Sequence, residues 1–167
     1  MLTKKTPLKK ALELGNGCKR CGYCCMHGSG ALVGDDKKNI ARFLGIEEKE
    51  LQEKYLEEVE RFNTKRLRPR IIKDDKPYGR CVFYGKGGCK INNVKPLECR
   101  VGNCGKHGEE LSIWFALNYF FNAKDPESIR QYAIYLKTNK TIPGGKLEDI
   151  MPDKEELKKI LDFKKLR

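Results

Sequence analysis

The chain has 167 residues, 35% of them charged, and a formal net charge of +12 at pH 7. That length suits one domain with a real core, and no run approaches the roughly 20 apolar residues of a membrane span; the longest, residues 113–121, is interrupted by Asn118. The first residues, Met-Leu-Thr-Lys-Lys-Thr-Pro, hold no apolar core of the kind a secretory signal needs, so a cytoplasmic protein with reduced thiols is expected.

Residues 1–14 form a Lys-rich arm with interspersed leucines, read as mobile or as a short helix after Pro7. The remaining 15–167 are expected to form a single domain, with a cysteine-rich part at 15–108 and a helical C-terminal part at 109–167. Gly15-Asn16-Gly17 breaks the chain and leads into Cys18-Lys-Arg-Cys21-Gly-Tyr-Cys24-Cys25. Four of the eight cysteines lie in these eight residues, and the others follow at Cys81, Cys89, Cys99 and Cys104. A Cys-x-x-Cys turn aims two sulfurs at one centre, and tetrahedral zinc or an iron–sulfur cluster wants four. Neighbouring side chains diverge, so the Cys24-Cys25 pair suits two adjacent sites or one larger cluster. A disulfide framework is the alternative for an even cysteine count, but it belongs to secreted chains. His27 and His107 are weaker ligand candidates, because eight thiols already compete with them.

Asp35 and Asp36 read as the cap of a helix through Leu44, with Ile40, Phe43 and Leu44 on one face and Gly45 ending it. Leu51, Tyr55, Val59 and Phe62 then recur at helical spacing, predicting one amphipathic helix beyond Glu47 and Glu48. Residues 64–72 read as an extended segment that Pro69 confines to an edge. Residues 81–91 read as a hairpin with a Gly-rich turn, which would set Cys81 and Cys89 side by side. The aromatic run at 113–123 predicts a buried helix or strand. Pro126 opens another helix, and Asp153 caps a last amphipathic one carrying Leu157, Ile160 and Leu161. The expected fold is α+β: a small, mainly helical domain with a β-hairpin, organised around a Cys-rich metal site. Much of 15–34 and 76–108 is expected to depend on metal, since few apolar residues there would otherwise hold it.

The two cysteine blocks resemble the CxxCxxCC (YkgJ-type) cysteine-cluster family. The resemblance rests on Cys18-x2-Cys21-Gly22-x-Cys24-Cys25, then Asp36-x3-Ile40-Ala41-x-Phe43-Leu44-Gly45-Ile46. It continues in Cys81-Val-Phe83, Gly88-Cys89-x-Ile91 and Lys95-Pro96-x-x-Cys99-Arg100. It implies zinc or iron chelation by Cys18, Cys21, Cys24, Cys25, Cys81, Cys89 and Cys99; Cys104 joins them on its own spacing. Two positions depart from the family pattern. Lys95-Pro96 stands for its usual Arg-Pro, and Val101-Gly102-Asn103-Cys104 for the aromatic-Pro that often follows Cys-Arg.

The sequence therefore points to a metal-binding protein holding an iron–sulfur cluster (4Fe-4S included) or zinc, as a non-catalytic carrier, redox or interaction module. Charge adds a second reading. Residues 61–106 carry about +10, against about +5, −4 and +1 for 1–34, 35–60 and 107–167. Lys19, Arg20 and Arg100 would offset an anionic thiolate centre. The surplus suits an anionic partner, RNA or an acidic protein, as in a ribosome-associated protein with a structural metal. A third reading, an iron–sulfur enzyme subunit acting on a protein side chain, follows from relatives such as flagellin lysine methylases. The sequence offers it no nucleotide-binding glycine motif and no Ser/His/Asp set.

Overall fold

The computed structural model describes residues 1–167, and its architecture is α+β and mainly helical. Nine α-helices accompany three separate two-stranded antiparallel sheets. The elements relevant to the site are α1 (Leu8–Gly15), α2 (Tyr23–His27), α3 (Asp36–Leu44), α4 (Glu48–Tyr55), β1 (Leu56–Arg61) and β2 (Thr64–Pro69). They are followed by β3 (Ile71–Ile72), β4 (Arg80–Cys81), β5 (Tyr84–Gly85), β6 (Gly88–Cys89), a 3-10 turn (Asn92–Val94) and α5 (Leu97–Val101). The C-terminal part is α6 (Gly108–Tyr119), α7 (Pro126–Leu136), α8 (Leu147–Ile150) and α9 (Lys154–Leu161). No helix is long and apolar enough to cross a membrane.

Local signals set three of the helix ends. The Asp125 carboxylate accepts from the Glu127 N–H ahead of Pro126, and Asp153 accepts from the N–H groups of Glu155 and Glu156. Gly45 ends α3 in the left-handed region at φ 68°, where a Cβ would be strained. The continuous helix expected through Phe62 does not form. α4 stops at Tyr55, and residues 56–61 pair with 64–69 as a hairpin. Phe62 and Asn63 both have positive φ, the geometry of a two-residue turn whose twist matches the flanking strands. The partner strand overrides the apolar stripe, which had the spacing of a helix but lies across two elements.

The larger core joins the C-terminal helices: Leu111, Trp114, Phe115 and Leu117 of α6 with Phe120, Ile129, Tyr132, Leu157 and Ile160. The basic N-terminal segment is docked on it rather than free. Leu2 and Ala11 are buried in this core, Trp114 Nε1 donates to the Thr6 carbonyl, and Lys4 N–H donates to Pro143. A second core of Leu32, Ile40, Ala41, Leu51, Leu56, Phe83 and Ile91 lies within the cysteine-rich part. That part therefore has apolar support of its own, more than its composition suggested. Phe43 does not join it and is exposed.

Candidate metal centre

All eight cysteines line one cavity of about 400 Å³, although the two blocks are far apart in sequence. None is in a disulfide. The first block is carried by the loop after α1 and by α2. Gly22 precedes α2 at φ 79°, and a Cβ there would lie 2.3 Å from the Tyr84 hydroxyl oxygen. Only glycine meets both demands, the left-handed backbone and the close approach of a side chain from the second block. Successive helical residues point about 100° apart, so Cys24 and Cys25 diverge: Cys24 is exposed and Cys25 half-buried.

The second block arrives on three supports. Cys81 is buried in β4, opposite Ile71 of β3. Cys89 lies in β6, opposite Tyr84 of β5. The expected hairpin is thus shorter than the sequence suggested, and Cys81 belongs to a different strand pair. The two thiols still act on one another electrostatically. Cys99 sits on α5. Leu97 and Val101, four residues apart, face the large core, which turns Cys99 to the other side and toward the cavity. Cys104 follows on a loop that Asn103 ties to the end of α1. Its amide donates to the Gly15 carbonyl at 2.7 Å, and its Oδ1 accepts from Gly105 N–H at 2.8 Å.

Two carboxylates join the blocks. Asp36, 4% exposed, accepts from the N–H groups of Val33 and Leu97, both at 2.9 Å, and from Arg100 Nη2 at 3.0 Å. Glu98 accepts from Ala31 N–H at 2.6 Å and from Arg61 Nη1 at 2.5 Å. Together they hold segment 31–36 against α5. At Gly30 a Cβ would lie 2.6 Å from Cys99 Sγ, so glycine allows this closeness. Asp36, expected as a helix cap, makes no cap bond at α3 and instead joins the two segments. Glu98 carried a signal, being the one acidic residue between 76 and 106.

The donor set is soft and nearly free of competing oxygen ligands. Glu98 borders the cavity but is committed to Arg61 and Ala31. His27 also borders it, with Nδ1 donating to the Tyr23 carbonyl and the ring between Tyr23 and Tyr78. His107 faces Glu110 instead. Burial raises the pKa of the Cys24, Cys25, Cys81, Cys89 and Cys99 thiols, Cys81 to about 11. Neighbouring thiolates raise these five further. The Cys21 thiol moves down, chiefly through the Tyr23 backbone, with Cys104 and Lys19 adding to the effect. Lys95 favours the thiolates of Cys25 and Cys89, and Lys19 that of Cys21. A bound cation would favour the ionised form of these buried thiols. Zinc and iron–sulfur clusters fit these donors, whereas hard oxygen-seeking cations do not. No three His, Cys, Asp or Glu side chains have already converged on an ion-sized centre.

The sequence profile of a family described as "Putative zinc- or iron-chelating domain" matches residues 17–115, which include all eight cysteines. The chain belongs to the CxxCxxCC family. No curated protein and no solved structure matches it.

Proposed function

We propose that this CxxCxxCC protein holds a thiophilic metal centre, an iron–sulfur cluster in preference to zinc, as a non-catalytic cytoplasmic carrier or redox module. Support comes from one observation above the rest: eight free thiols from two distant blocks line a single cavity. Cys18, Cys21, Cys24, Cys25, Cys81, Cys89, Cys99 and Cys104 would be the ligands. The centre would supply charge to structure the loops and, as a cluster, a site for an electron. The preference for iron–sulfur rests on the surplus of thiols over the four that one zinc takes. The test is metal and acid-labile sulfide content, with a visible spectrum, on protein purified without oxygen. Iron with sulfide and colour supports the proposal. Colourless protein with stoichiometric zinc overturns the iron–sulfur preference, and protein binding neither metal overturns the whole reading.

An anionic partner, RNA or an acidic protein, is a second part of the proposal. Much of the charge on 61–106 is used internally. Arg61, Arg68 and Arg100 pair with Glu98, Glu57 and Asp36, and Arg66 and Arg70 donate to backbone carbonyls. Lys73, Lys76, Arg80, Lys86, Lys90, Lys95 and Lys106 make no ion pair. Those seven cations would carry the interaction. RNA binding that weakens steeply with salt supports it, and retention indifferent to salt counts against it.

A further inference from the structure

A separate cavity of about 300 Å³ opens between α3, the 3-10 turn and α5. Asn39, Arg42 and Phe43 of α3 line it, with Asn93 and Lys95 after the third sheet and Arg100 of α5. Lys95 is the one residue it shares with the cysteine cavity. Helical spacing explains the α3 wall. Asp36, Asn39 and Phe43 follow one another at intervals of three and four and so share a face, while Ile40 and Ala41 turn into the second core. Asp36 fixes the opposite wall, because it accepts from the Leu97 N–H at the start of α5 and from Arg100 Nη2.

The polar groups of this cavity are nearly all donors, and most are unspent. Arg42 and Lys95 make no ion pair. The Asn39 and Asn93 side-chain amides make no hydrogen bond within the protein. Arg100 gives Asp36 one N–H and keeps the rest of its fork. Asp36 is the single carboxylate in the lining, and two backbone N–H groups and Arg100 already occupy it. Three cations against one carboxylate leave a surplus of two positive charges. That surplus matches a dianion. A phosphate monoester carries about −1.5 to −2 at neutral pH, and its oxygens suit guanidinium forks. A carboxylate or a phosphodiester brings only one charge. Phe43 adds an exposed ring to the lining, a surface for the organic part of such a ligand.

We propose that this cavity binds a small phosphate monoester, its phosphate held by Arg42, Lys95, Arg100 and the amides of Asn39 and Asn93, and its organic group resting on Phe43. The volume is at the lower end for small-molecule sites, which suits a small ester. The site goes beyond the metal-holding reading and does not depend on it.

Phenyl phosphate is the probe. It is titrated at low salt into the protein as isolated with its metal, by calorimetry and by NMR of the Asn39 and Asn93 side-chain amides. The expected result is saturable binding, tighter than that of inorganic phosphate. It should also be about tenfold or more tighter than that of benzoate or the diester methyl phenyl phosphate. Arg42→Gln changes an exposed residue outside the cysteine cavity, so it should weaken both phosphates by about tenfold while metal content stays the same. Phe43→Ala should abolish the advantage of phenyl phosphate over inorganic phosphate and leave the latter bound as before. Four outcomes overturn the proposal: no saturable binding, binding undiminished in Arg42→Gln, a diester bound as tightly as the monoester, or an advantage of phenyl phosphate that survives Phe43→Ala. Protein that holds no metal and still binds phenyl phosphate in this manner would sink the metal reading and leave this one standing.

Discussion

Asp36→Ala removes the acceptor of three hydrogen bonds at a site only 4% exposed. Two of the donors are backbone N–H groups, of Val33 and Leu97, and each would be left without a partner. A hydrogen bond to a charged group contributes about 1.5–3 kcal/mol, and an orphaned buried donor costs about 1–3 kcal/mol. Arg100 is 41% exposed, so water takes over much of its side of the contact and its share is small. The expected loss is about 3–5 kcal/mol, in the range for breaking a buried ion pair. It should act locally, loosening α5 from segment 31–36 and so displacing Cys99. The assay is urea denaturation of the metal-loaded protein, with the rate at which a thiol reagent modifies Cys99 as a local readout. Asp35→Ala, one residue away on exposed surface, should stay within about 0.5 kcal/mol. A loss below about 1 kcal/mol for Asp36→Ala, with Cys99 no more reactive, would refute the clamp.

Other expectations follow from the same geometry. Burial sets the Cys81 thiol at about 11 against 9.0 for a free thiol. The folded-state value is the higher one, so this contribution is intact below about pH 9 and is lost as pH rises through about 11. Metal-free protein should lose about 2 kcal/mol of stability by about pH 10.5 through Cys81, measured by urea titration. Metal affinity should run the other way and fall toward acid pH, because each ligand must shed a proton, which a competition titration at several pH values would read. Gly30→Ala puts a Cβ 2.6 Å from Cys99 Sγ and 2.9 Å from its backbone nitrogen. It should cost about 1–3 kcal/mol and lower metal content per folded chain. Removing metal with a chelator should speed amide exchange in 17–30 and 99–107 while α6 and α7 stay protected by the larger core, and uniform deprotection would contradict that independence.

The elements that were legible in the sequence are those decided within a few residues. Asp125 with Pro126, Asp153, and Gly45 each mark a helix end because a cap is a contact between near neighbours. Leu51, Tyr55, Val59 and Phe62 misled because periodicity reports which residues are apolar, not which strand lies beside them. Residues 64–69 supplied that strand. The 81–91 hairpin expectation fails at Cys81 for the same reason: its partner, Ile71, lies before it in the chain rather than after.

The donor chemistry is legible in the residues alone: eight thiols in two blocks are the ligand type that zinc and iron–sulfur clusters take. Ligand type is a property of side chains, and it survives any folding. That the blocks meet at one cavity, that Asp36 and Glu98 fasten them, and that the thiols range from exposed to buried emerges from the tertiary structure alone. Those facts depend on contacts between residues more than 60 positions apart. Spacing along a chain carries no record of them, because burial and charge pairing exist only once the partners have been brought together.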